Sequence, residues 1–120
     1  MWSDEQLAGW LEGEGSFFLQ QRRAWISASS TDHDVVVEVA RALGTSAMGP
    51  RQNPRPNRKP YWSVSLTGKR ALVTMLRVYP FLGERRRATI QSVLSRWEHE
   101  IPGVGSGRRG ISRGPRNVKR

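Results

Sequence analysis

Between Leu7 and Phe18 the chain reads LAGWLEGEGSFF, and the spacing of its apolar residues changes there with no room for a loop. Leu7, Ala8, Trp10 and Leu11 recur at helical spacing and Gly13 offers an exit, whereas the residues from Ser16 onward are aromatic and β-favouring. A helix therefore hands over almost directly to a strand, which commits the chain to a mixed helix and strand design. Glu12 and Glu14 sit at the carboxyl end of that helix. The macrodipole disfavours acids there by a few tenths to about 1 kcal/mol each, so a positive partner is expected nearby.

The remaining elements follow from local signals. Ser3 and Gln6 form a capping box that starts the first helix at Asp4, with Trp2 placed to staple onto Leu7. The segment SFFLQQRRAWISASS reads as two strands joined by a tight turn near Arg22 to Ala24. A second helix is capped by Thr31 or Asp32, carries an apolar stripe of Val36, Val39, Ala40 and Leu43, and ends at Gly44. TSAMGPRQ and YWSVSL form a second hairpin around the cationic, proline-rich loop NPRPNRKP. A third helix runs until Pro80, and a fourth places Ile90, Val93, Leu94, Trp97 and Ile101 on one face. The order α-ββ-α-ββ-α-α implies an α+β fold, a mostly antiparallel four-stranded sheet with helices on one face.

A length of 120 residues suits one domain, expected over residues 1–101. The chain holds 20 Lys and Arg against 10 Asp and Glu, a formal net charge of +10, and only Lys59, Lys69 and Lys119 are lysines. An arginine-dominated excess suits a partner dense in negative charge, nucleic acid first, because the guanidinium fork pairs bidentately with phosphate and guanine edges. Six of the cations fall in the Gly- and Pro-rich segment 102–120, which carries no acid and is expected to be a basic, disordered tail. No cysteine is present, which excludes disulfides and thiolate zinc sites, and His33 and His99 are too few for most histidine metal centres. The sequence offers neither a signal-like N-terminus nor an 18-residue apolar run, so an intracellular, cytoplasmic protein without membrane partners is expected, of undetermined phage, bacterial or organellar origin.

The stretch Leu7 to Gly15 resembles the LAGLIDADG motif of homing endonucleases. The αββαββα order and the segment YPFLGERRRATIQSVL are similar to that family as well. The resemblance implies a site-specific, metal-dependent endonuclease that hydrolyses double-stranded DNA. One motif per chain implies a homodimer, with Leu7, Ala8, Gly9, Trp10, Leu11 and Gly13 at the dimer interface. It implies Glu14 as the catalytic carboxylate and, with Gly13, as ligand of Mg²⁺ or Mn²⁺, so that a metal supplies the compensating charge and no small-molecule cofactor is needed. Arg85 takes the place of a basic residue, commonly lysine, near the scissile phosphate. Ser29, Ser30 and Thr31 stand where many members carry glutamine.

The resemblance further implies that the open sheet face lies in the major groove. Alternation then turns Phe17, Leu19, Ile26 and Ala28 toward helices and leaves Gln20, Arg22, Ser27, Ser29, Tyr61, Ser63 and Ser65 outward. Arg51, Arg55, Arg58 and Lys59, in or beside the loop, suit phosphate contacts. Two alternatives remain open: a cleavage-inactive regulator or maturase on the same fold, binding DNA or RNA, and a general basic RNA-binding protein.

Overall fold

The computed structural model describes residues 2–100, with the side chains of 98–100 left aside; Ile101 and the expected tail lie outside the described residues. Helix α1 spans Asp4–Glu14. Its capping box is formed as the sequence requires, with the Gln6 amide donating to Ser3 Oγ at 3.1 Å and the Ser3 amide donating to Gln6 Oε1 at 2.9 Å. Trp2 packs edge-on against Trp10, with ring centroids 6.5 Å apart, one turn beyond the staple expected on Leu7. The helix also continues past Gly13 to Glu14, and Gly15 caps it in an extended conformation while opening the first strand.

Strands β1 (Gly15–Gln20) and β2 (Arg23–Ser30) form a hairpin whose two-residue turn is Gln21 and Arg22, at φ 54° and 65°. Both turn residues are left-handed, the conformation that matches the twist of the flanking strands. The turn therefore falls one to two residues earlier than Arg22 to Ala24, and Arg22 leaves the strand, so Arg23 occupies the outward position beside Gln20. Helix α2 (His33–Leu43) is capped by Asp32 and closed by Gly44 at φ 75°. Strand β3 is short, Met48–Arg51, and pairs with β4, Tyr61–Thr67. Helix α3 (Lys69–Val78) passes into a 3₁₀ turn over Tyr79–Phe81, and α4 covers Glu84–Glu100.

The four strands lie antiparallel in the order β1-β2-β4-β3. Phe17, Leu19, Ala24, Ile26, Ala28, Val64 and Leu66 are buried on one face. Against them pack Leu7 and Leu11 of α1, Val36 and Val39 of α2, Met75 and Val78 of α3, and Ile90 and Val93 of α4. Among the described residues the other face carries no helix, and it alternates with the buried one as the period of two requires.

Candidate nucleic-acid interface and its carboxylate

The junction between α1 and β1 fixes one end of the open face. The Gly15 amide donates to the Leu11 carbonyl, and a Cβ at Gly15 would stand 2.7 Å from Leu11 Cδ2, so the helix-to-strand handover needs glycine at that close approach.

Glu12, the first acid, faces α4. Its Oε1 accepts from the Gly83 amide at 2.7 Å, immediately before α4 begins, and its backbone carbonyl accepts from Arg86 Nε at 3.2 Å. A carboxylate thus meets the positive end of α4 while a guanidinium meets the negative end of α1, each complementing the other helix's dipole. Arg86 also lies over the Phe17 ring at 6.0 Å and retains only 14% of its side-chain exposure. The positive partner expected for the acids at this helix end is, for Glu12, an arginine and a helix N-terminus.

Glu14 differs. It is exposed, and its side chain makes no hydrogen bond or ion pair among the described residues. It lines an open cleft of about 550 Å³ with Ser29, Ser30, Thr31, Asn53, Pro54 and Tyr61. The donors gathered there are hydroxyl, amide and carboxylate oxygens, the hard ligands that Mg²⁺ and Mn²⁺ prefer. One carboxylate is not a complete site, and no group of three acidic, histidine or cysteine side chains among the described residues could hold a cation. The set fits part of a divalent-cation site and not the whole of one. Gly13 is exposed beside it, with nothing within 4 Å of a built Cβ.

Arg85 is exposed in the first turn of α4, with no side-chain hydrogen bond or ion pair among the described residues, while its neighbour Arg86 turns inward. The hydroxyl of Ser30, in the stretch that lacks glutamine, accepts from the Asp32 amide at 3.1 Å. Asn53 joins the site through a signal its sequence carries, since Asn-Pro initiates turns; its Oδ1 accepts from the Arg55 amide at 3.1 Å and its Nδ2 donates to the Lys59 carbonyl at 3.5 Å, drawing together the loop that exposes Arg55, Arg58 and Lys59.

On the open face the strand registers arrange side chains in cross-strand rows. Ser16, Ser27 and Ser65 form one row and Ser29 with Ser63 another, with Tyr61 opposite Arg51 toward the β3 edge. Phe18, Trp25 and Thr67 form a third, and Gln20 with Arg23 a fourth. Gln20, Ser27, Ser29, Tyr61 and Ser63 therefore occupy the open face, as alternation implies, whereas Arg22 stands in the hairpin turn. Phe18, Trp25 and Arg23 follow from the same alternation once the turn is placed at Gln21 and Arg22.

Of the residues expected at a dimer interface, Leu7, Ala8 and Leu11 are buried in this chain's own core at 1%, 0% and 0% exposure, and Trp10 is half-buried against Trp2. Gly9 and Gly13 remain on the surface of α1, four residues apart, with open space around both. No helix among the described residues is long and apolar enough to cross a membrane.

No family model matches the sequence, and no curated protein matches it either. Solved structures do match. The homing endonuclease I-CvuI, in complex with its target in the presence of calcium, aligns over 84% of this chain and 71% of its own at a TM-score of 0.58 and 16% identity. The archaeal intron-encoded homing endonuclease I-Vdi141I, complexed with DNA, aligns over 72% and 62% at 0.54 and 16% identity. A second I-CvuI complex, holding uncleaved DNA in the presence of magnesium, aligns over 92% and 85% at 0.52 and 19% identity. With its sheet order, its single helical layer and the LAGWLEGEG junction leading into β1, the chain has the LAGLIDADG homing-endonuclease fold.

Proposed function

We propose that this chain is one half of a homing endonuclease: two copies bind double-stranded DNA through their open sheet faces and hydrolyse it with a divalent cation. The observation that carries the reading is Glu14, an exposed carboxylate with no partner among the described residues, at the mouth of an oxygen-lined cleft beside the open face. In a chain with an excess of ten positive charges, an acid so placed invites a cation.

The dimer brings the exposed strip of α1 at Gly9 and Gly13 against its copy, which sets Glu14 near the partner subunit's Glu14. The two carboxylates would hold Mg²⁺ or Mn²⁺, with the Gly13 backbone supporting the site. When bound, the cation supplies Lewis-acid activation of the phosphodiester and neutralises charge on the leaving oxygen. Water adds to phosphorus as the P–O3′ bond breaks, its proton passing to solvent and the leaving 3′ oxygen taking one from solvent, while Arg85, permanently charged, stabilises the added negative charge on the phosphoryl oxygens without serving as base. Gln20, Ser27, Ser29, Tyr61 and Ser63 face base edges. Arg22, Arg51, Arg55, Arg58 and Lys59 take phosphates, which makes affinity fall steeply with salt.

A second reading, binding without cleavage, is favoured by one observation: Ser30, in the stretch lacking glutamine, has its hydroxyl engaged by the Asp32 amide. Glu14→Gln decides between them. The duplex preferred by the wild-type chain is selected from a randomised library and incubated with Mg²⁺ or Mn²⁺. Cleavage should fall by orders of magnitude in the variant while Kd for the same duplex holds within about twofold. Tight wild-type binding with no cleavage in either metal would establish the binding-only protein.

A further inference from the structure

The open face is not uniformly polar. Phe18 and Trp25 lie directly opposite each other on β1 and β2, with rings 6.0 Å apart and 3° from parallel, and Thr67 of β4 continues the row across a third strand. All three are half-buried, and the row lies on the side of the sheet without helices. Its hydrogen-bonding groups are already withdrawn from any partner. The Trp25 indole Nε1–H donates to the Gln20 carbonyl at 3.3 Å, and Thr67 Oγ1 is buried with no hydrogen-bond partner among the described residues. What the row presents is carbon, in a band between a row of serines and the Gln20 and Arg23 pair.

Charge selects the occupant. The band is flanked by exposed Arg22 and Arg23 at the hairpin, the complement of a polyanion and not of an apolar protein surface. Three neighbouring strands span about 10 Å, within the roughly 12 Å major groove. Among base-pair edges in that groove, the C5-methyl of thymine is the one bulky apolar group, standing where cytosine has only a C–H; the donors and acceptors beside it would be left unpaired by this row. The two rings also spend part of their faces on each other, which leaves less for stacking an unpaired base.

Resting on the proposed function, we propose that Phe18, Trp25 and Thr67 form a reading site for the 5-methyl group of thymine in the major groove of duplex DNA, one in each copy of the chain. The site rejects cytosine and purines at that position by offering them no hydrogen bond, and it gains affinity from covering a methyl group.

The test uses the full chain and the duplex it selects from a randomised library. Each thymine is replaced in turn by deoxyuridine, which removes the methyl and leaves pairing intact. At one thymine per half-site the replacement should raise Kd by about fourfold, the weight of one buried methyl group. That difference should vanish in Phe18→Ala; Phe18→Thr, which keeps β propensity, makes the same test should the alanine variant fold poorly. Tight duplex binding that is indifferent to every methyl, or a methyl effect that persists in both variants, overturns the inference and leaves the endonuclease reading standing. Tighter binding of the single strand of the same sequence also overturns it. Failure to bind any duplex overturns both.

Discussion

Replacing Glu12 by alanine tests whether the two helix ends hold each other. The change removes the carboxylate that accepts from the Gly83 amide at 2.7 Å and leaves that amide unpaired before α4. Hydrogen bonds to charged groups contribute about 1.5–3 kcal/mol, and partial exposure of Glu12, at 39%, places this one at the lower end. The Arg86 ion pair, at 4.0 Å with its carboxylate partner partly in solvent, adds no more than a few tenths. Arg86 keeps the Glu12 backbone carbonyl and the Phe17 ring after the substitution. Alanine's better helix propensity returns a few tenths. The expected cost is about 1.5 kcal/mol for Glu12→Ala and about half that for Glu12→Gln, which retains an acceptor for Gly83. Urea unfolding followed by tryptophan fluorescence measures both. Equal losses in the two variants would mean that charge, not the Gly83 hydrogen bond, carries the energy; a loss under about 0.5 kcal/mol for alanine would refute the interlock altogether.

Gly9→Ala and Gly13→Ala should each stabilise the isolated subunit by up to about 1 kcal/mol, because both sit within α1 and a Cβ at either meets nothing within 4 Å. The same substitutions should weaken self-association, visible as a higher dissociation constant in sedimentation equilibrium; unchanged association would move the dimer contact off this strip of α1. Thr67→Val should raise stability by about 0.5–1 kcal/mol in urea unfolding, since it replaces a buried hydroxyl that has no partner with a methyl of similar size. A loss would show that the hydroxyl is satisfied in solution.

The helices were legible because their boundaries are written in adjacent residues: Ser3 with Gln6, Asp32 before Val35, Gly44 after Leu43. Alternation likewise assigned the faces of β2 and β4. The first turn was misplaced because Gln21 and Arg22 adopt a conformation usually marked by glycine or asparagine, and neither is present there. The partners of Glu12 were hidden for a different reason, lying 71 and 74 residues away. Periodicity also marks Leu7 and Leu11 as apolar without saying what covers them; here the subunit's own core does, and of the residues between them Ala8 is buried as well while Gly9 is left to the surface.

Strand β3 closes one side of the sheet with four residues, all exposed, a proline at position 50 and a register shift between Met48 and Arg51. Proline removes an amide donor, and an irregular ladder offers an incoming strand no continuous template. A protein that leaves one whole sheet face bare, with an aromatic band across it, would otherwise be prone to edge-to-edge polymerisation. On the β3 side the broken edge therefore ends the bare face at a single sheet's width, leaving a surface shaped for a groove with no template for a further strand there.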